Sequence, residues 1–262
     1  MILNKPKFWD KKKLSFFSLI FFPFSLITLL LIFFKKKISQ PEQFKIPVIC
    51  IGNIYIGGTG KTPTSILIGK ELLNKGLKAS IVRKDYKSHK DEHDLIRSNF
   101  NHLTVNKNRT SGILEAKKRG YDVVILDDGF QDYNIKKNFN VLCFHQNQLI
   151  GNGLVLPAGP LRENLSAVKN VDIVLINGKK NFEFEKKIKN INKKINFFYS
   201  HYKVENIENF KNCKLIAIAG IANPENFFEL LENSNLNIEK KLIFPDHYKF
   251  SENEIKDIIH TA

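Results

Sequence analysis

Cysteine is scarce in this chain: Cys50, Cys143 and Cys213 are all it has, and no two form a C-x-x-C pair. That excludes a disulfide framework and a cysteine zinc site, and it fits a reducing compartment. Acidic residues are also few, 26 against 41 lysines and arginines, for a formal charge of +15. Such an excess implies an anionic partner (nucleic acid, an acidic membrane surface or a phosphorylated substrate), or else a compositional bias toward lysine. No Asn-Lys-x-Asp tetrad occurs, so a guanine-reading switch would lack its base-recognition element. Long uncharged apolar runs are missing as well, with one exception at residues 14–34.

That run reads as a helix about 30 Å long, enough to cross a bilayer. It is too long for a signal peptide and no small-residue cleavage site follows. Lysines at 11–13 and 35–37 flank it on both sides, so charge sets no orientation, and Pro23 sits in its middle. We expect it to insert into, or lie along, the cytosolic leaflet rather than to span it simply.

The chain is organised around residues 47–63. Val48, Ile49, Cys50 and Ile51 are the short apolar run of a strand covered on both faces. Gly57, Gly58 and Gly60 let the backbone turn and approach an anion closely. Lys61 can reach terminal phosphates, and the Thr62 hydroxyl can ligate Mg²⁺. Pro63 suits the first turn of a helix, whose N-terminus favours negative charge. The strict phosphate-loop pattern would have glycine where this chain has Tyr55.

A helix at 62–74 closed by Gly76, and a strand at 77–83, should follow. Residues 84–95 read as a polar loop. Asp122–Gly129 is the second informative stretch, a buried strand ending in Asp127 and Asp128. In phosphate-loop enzymes an aspartate at the end of a neighbouring strand serves Mg²⁺. Residues 151–163, rich in glycine and proline, read as a fixed loop. His89, His93 and His102 lack metal-ligand spacing and read as surface residues. Further strands alternate with helices, which argues a parallel α/β sheet with helices on both faces. The pattern restarts near residue 203, where Ser251 and Glu254 form a capping box. We therefore expect a membrane-associating segment at 1–37, a phosphate-loop core at 38–202, and an incomplete second α/β lobe at 203–262.

Jointly these motifs resemble the tetraacyldisaccharide 4′-kinases of lipid A synthesis. The resemblance rests on Gly52-Asn53, Gly57-Gly58-Thr59-Gly60-Lys61-Thr62-Pro63, Asp127-Asp128-Gly129-Phe130-Gln131, Gly151-Asn152-Gly153-Leu154 and Leu156-Pro157-Ala158-Gly159-Pro160-Leu161-Arg162-Glu163. It covers nearly the whole chain. It implies transfer of the γ-phosphate of ATP to the 4′-hydroxyl of a lipid A disaccharide at the cytoplasmic face of the inner membrane. It further implies that Tyr55, Ile56, Gly57, Gly58, Thr59, Gly60, Lys61 and Thr62 hold ATP. Thr62, Asp127, Asp128 and Glu163 would serve Mg²⁺. Asp91, in the Asp91-Glu92 pair, would be the base, partnered by His247, with Arg162 neutralising developing charge. The partners implied are the lipid substrate and the membrane surface, with no nucleic acid, and a monomer is expected. Two stretches depart from the family pattern: Lys84 and Asp85 where Gly usually follows Arg83, and Asp132 where His usually follows Gln131. The family's later Thr-Thr-Glu-Lys-Asp segment would lie beyond Ala262. The competing readings are a membrane-bound phosphate-loop switch without kinase activity, and an inactive truncated kinase.

Overall fold

The computed structural model describes residues 6–10, 14–85, 90–221, 223–245 and 248–261. They form two compact units, Lys5–Ser200 and a smaller one dominated by His201–Ala262.

The larger unit begins with helix α1 (Phe16–Ile38). Next come strand β1 (Val48–Gly52), helix α2 (Lys61–Asn74), strand β2 (Ala79–Lys84), helix α3 (Lys90–Asn99) and strand β3 (Leu103–Asn106). Helix α4 (Arg109–Lys118) and strands β4 (Val123–Asp127), β5 (Phe139–His145) and β6 (Ile173–Asn177) follow. Helix α5 (Phe182–Lys189) and strand β7 (Asn196–Ser200) complete it. All seven strands are parallel, in the order β3-β2-β4-β1-β5-β6-β7. Chain order reverses direction about β1, which puts the ligand-binding crevice of such a sheet at the carboxyl end of that strand.

The period-two alternation of the strands sorts the core into two layers. Ile51, Ile81, Val123, Ile125, Val141 and Cys143 face one side, where Ile66 of α2 and Ile96 of α3 pack on them. Cys50, Val82, Val124, Leu126, Leu142 and Phe144 face the other, covered by Ile113 of α4 and by Phe184 and Ile188 of α5. Burial on both faces explains why these strands read as continuous apolar runs.

Residues 84–95 are not a loop throughout: from Lys90 onward the chain is helical. His93, Ile96 and Phe100, spaced to share one helix face, are all buried, and this spacing inside a charged stretch was the signal. His93 is therefore no surface residue; it is 4% exposed, and burial lowers its pKa below the usual imidazole range. His102 instead meets the Tyr121 hydroxyl at 3.2 Å, and His89 lies outside the described residues.

Glycine at position 52 is dictated by close approach. A Cβ there would sit 2.4 Å from the Cβ of Phe130, in the turn after β4. Gly52→Ala should therefore cost about 2 kcal/mol by overpacking. A lowered urea midpoint at unchanged m-value would confirm this, and an unchanged midpoint would show that the turn gives way.

Helix α1 is apolar in an inverted sense. Its two buried residues are serines, Ser18 and Ser25, while Phe16, Phe17, Phe24, Leu31 and Phe33 are more than half exposed. Ser25 Oγ donates to the Val155 carbonyl at 2.7 Å and accepts from the Ala158 amide at 3.0 Å. Asn152 Nδ2 donates to Ser18 Oγ at 3.2 Å. Leu29 and Ile32 pack on the core from the same side. Positions 18, 25, 29 and 32 recur at helical spacing, so one narrow stripe docks α1 on the 151–160 loop.

The smaller unit holds strand β8 (Lys214–Ala219), helix α6 (Pro224–Asn233), strand β9 (Asn237–Ile243) and helix α7 (Glu252–Thr261). The two strands pair in parallel, and Phe228 of α6 packs on Ala217 and Ala219. The Ser251 capping box forms as expected: the Ser251 amide donates to Glu254 Oε2 at 2.8 Å and Glu254 N to Ser251 Oγ at 3.3 Å.

Candidate nucleotide and phosphoryl-transfer site

The carboxyl ends of β1, β2, β4 and β6 converge on the loop between β1 and α2. Gly57 (φ 111°) and Gly60 (φ 86°) adopt the left-handed backbone that this turn requires. Gly60 caps α2 without a side chain, so no side-chain oxygen is spent on the first amides of a 14-residue helix. Those donors and the helix dipole form an anion-binding terminus.

The loop is pinned from beneath by two asparagines. Asn53 Nδ2 donates to Thr59 Oγ1 at 2.9 Å and to the Gly57 carbonyl at 3.2 Å. Asn177 Nδ2, at the end of β6, donates to the Thr59 carbonyl at 2.5 Å. The loop's first residues point elsewhere. The Tyr55 ring is fully buried in the core with its hydroxyl on Asp10 at 2.6 Å, and the Ile56 amide donates to the Pro160 carbonyl at 2.9 Å. Anion-facing geometry therefore concentrates in residues 57–62, of which Gly58 is exposed.

Asp127 is the buried hub. Its Oδ2 accepts from Thr62 Oγ1 at 2.9 Å and from Arg83 Nη1 at 2.8 Å, and its Oδ1 from Ser65 Oγ at 3.0 Å. Strand register accounts for this: β2 pairs Val82 with Leu126, so one step on Arg83 stands beside Asp127. Burial pushes the Asp127 carboxyl above the usual range, with Arg83 and Lys61 opposing. Arg83 also pairs with Glu92 of α3.

Asp128 is the open neighbour. It has φ 55°, unusual for a residue with a side chain, and its carbonyl accepts from Arg109 Nη2 at 2.7 Å. Lys61 Nζ lies 3.7 Å and Arg162 Nη1 3.0 Å from Asp128 Oδ1. Burial raises the Asp128 carboxyl, but Lys61, Arg162 and Arg109 together outweigh it and hold it down at about 2. Two adjacent carboxylates are thus pushed apart, one poised by burial and one held charged.

Glu163, beside Arg162, is almost fully buried and already engaged. Lys36 Nζ meets Oε2 at 2.5 Å, Gln131 Nε2 meets Oε1 at 3.1 Å, and the Tyr133 hydroxyl also donates to it. Asp91 lies exposed in the first turn of α3, next to the Glu92 that pairs with Arg83. His247 lies outside the described residues. Sequence reading missed Arg83, Arg109 and Ser65. The available signal for Arg83 was a charge following the apolar run Ile81-Val82, at the carboxyl end of a strand.

The donor set fits a magnesium nucleotide. A hydroxyl and two carboxylates beside a helix N-terminus and an ammonium supply hard oxygen ligands and phosphate donors together. Among the described residues no group of three or more His, Cys, Asp or Glu could hold a metal alone.

Comparison with known proteins identifies a family. The family model described as LpxK, tetraacyldisaccharide-1-P 4′-kinase, matches residues 12–262. A tetraacyldisaccharide 4′-kinase of Pelagibacter ubique is 42% identical over 266 residues, covering 100% of this chain and 84% of that protein. One from Wigglesworthia glossinidia brevipalpis is 33% identical over 274 residues, covering 94% and 73%. In fold, the chain is similar to the crystal structure of LpxK from Aquifex aeolicus in complex with ATP, with a TM-score of 0.66, 23% identity, and 90% and 84% of the two chains covered. The arrangement at β1, α2 and β4 and the length of these matches lead to one conclusion: the chain belongs to the tetraacyldisaccharide 4′-kinase family.

Proposed function

We infer that this protein transfers the γ-phosphate of ATP to the 4′-hydroxyl of a tetraacyldisaccharide 1-phosphate, a step of lipid A biosynthesis. The observation that carries this reading is the convergence of Lys61, Thr62, Asp127 and Asp128 on the N-terminus of α2. Phosphoryl transfer needs positioning, charge neutralisation and a proton acceptor more than covalent help from the protein. Residues 57–62 cradle the phosphates through backbone amides, and the Lys61 ammonium meets the terminal oxygens. Thr62 and Asp128 would hold Mg²⁺, with Asp127 orienting Thr62 and Glu163 at the margin. Mg²⁺, when bound, neutralises charge on the β- and γ-phosphates. Arg162, drawn to Asp128, stands ready to meet charge developing on the transferred group.

Asp91 takes the proton of the 4′-hydroxyl as the new O–P bond forms and the bond to ADP breaks. Its exposed place on the first turn of α3 suits a group that meets substrate rather than core. The outward apolar face of α1 lies along the cytoplasmic leaflet of the inner membrane, which brings the site to a lipid-borne acceptor. In-plane seating suits a helix whose polar stripe is spent on the protein and whose phenylalanines and leucines face out. Its length and hydropathy would also allow a span, and accessibility labelling of residues at both its ends in sealed vesicles separates the two.

The test is transfer of labelled γ-phosphate from ATP to lipid A disaccharide in mixed micelles. Mg²⁺-dependent transfer upholds the reading, and retained ATP binding with no transfer overturns it. In that assay Asp91→Ala should lower kcat by about 10²–10⁴-fold while the Kd for ATP stays within about threefold. Normal turnover would remove Asp91 as the base.

A further inference from the structure

We propose that Lys36, at the end of the apolar helix α1, is a positioning residue for phosphoryl transfer, tying α1 to the phosphate loop through Glu163 and Gln131. The proposal rests on the kinase reading above but concerns a residue outside the nucleotide site.

A connected run of contacts carries it. Lys36 Nζ meets Glu163 Oε2 at 2.5 Å. Gln131 Nε2 bridges Glu163 Oε1 at 3.1 Å and the Asn53 carbonyl at 2.9 Å. Asn53 in turn holds Thr59 and Gly57 of the phosphate loop. Tyr133 closes the cluster: its hydroxyl donates to Glu163, and its ring lies 5.0 Å from Lys36 Nζ.

Position and pairing set Lys36 apart from its neighbours. It continues the docking stripe of α1, four residues after Ile32 and seven after Leu29, and it pairs with Glu163, whereas Lys35 reaches the Gln131 carbonyl at 3.5 Å and the Tyr133 ring. The Lys36 side chain is 43% exposed and the Glu163 side chain 1%. The glutamate thus depends on a cation delivered from a helix that otherwise touches the core through serines and a few aliphatic side chains. A buried carboxylate that loses its cation partner must rearrange, and that would disturb the Gln131 bridge. Any force that lifts or seats α1, such as its apolar face entering a lipid layer, is delivered to residues 53–59 along this path. The chemistry of the cluster therefore couples lipid contact to the geometry of the phosphate loop.

The experiment uses the full chain with Lys36→Met, Lys36→Arg, Glu163→Gln and the Lys36→Met/Glu163→Gln pair. In the micelle assay Lys36→Met should lower kcat about tenfold while the KM for ATP moves less than threefold, and Lys36→Arg should restore kcat to within about twofold. In the Glu163→Gln background the methionine should change kcat less than twofold. Hydrogen exchange gives a readout independent of transfer. Amides of residues 55–60 should exchange faster in Lys36→Met, with those of β4 unchanged. An unchanged kcat, an equal loss in both backgrounds, or loop amides as protected as in the parent would each overturn the proposal. If the parent chain transfers no phosphate, the kinase reading fails, while the exchange data still decide whether Lys36 holds the loop.

Discussion

Lys61→Ala should reduce phosphate transfer by about a thousandfold or more, with little loss of stability. The Lys61 ammonium stands at the carboxyl end of β1, 3.7 Å from Asp128 Oδ1, a long and weak ion pair in the folded protein. Removing it therefore costs little in folding. Its place at the head of α2 is valuable in the transition state, where charge spreads over the transferred phosphoryl oxygens. Arginine should not replace it well, because a planar fork does not substitute for a compact ammonium in a loop shaped by Gly57 and Gly60. Single-turnover assays would separate the chemical step from binding. Transfer within tenfold of the parent would remove the phosphate-loop reading.

Arg83→Met should be the most destabilising substitution in the larger unit, by about 3–5 kcal/mol, or on the order of 10 °C in the melting of that unit. Arg83 is 4% and Asp127 1% exposed, and the pair is linked at 2.8 Å. Removing the guanidinium leaves a buried carboxylate with two hydroxyl donors, Thr62 and Ser65, and no partner charge in contact. The Asp127 carboxyl, already raised by burial, would rise further once its largest opposing influence is gone. Adding Asp127→Asn should recover much of the loss, since the fully buried side of the pair is then neutral and the partly exposed Glu92 keeps its access to water. Calorimetry of the single and double variants decides this. If Arg83→Met alone melts within about 2 °C of the parent, Asp127 is not a buried anion that depends on Arg83.

The site was legible in the sequence where chemistry and backbone coincide. Gly57, Gly60, Lys61 and Thr62 are consecutive or nearly so, and the strand before them and the helix after them announce themselves by apolar runs and Pro63. Asp127 and Asp128 were legible for the same reason, at the end of an uncharged strand. Helix α3 was not, because its buried residues are only His93 and Ile96 within a charged segment, with Phe100 just past its end. A histidine in that set hides the helical period from a hydropathy reading.

Sequence alone determined the alternation of strands and helices, the phosphate loop and the adjacent carboxylates. These are written in local patterns: period-two burial, glycine where φ must be positive, and acids at a strand end. Only tertiary structure decided which partners those groups meet. Strand register set Arg83 against Asp127, across 44 residues of chain. Docking of α1 turned two serines inward and its aromatic surface outward, the reverse of what a soluble helix shows. It also brought Lys36 to Glu163, 127 residues away. Ion pairs between distant segments leave no periodic trace in a chain. They arise only once the sheet has fixed which strand ends stand side by side.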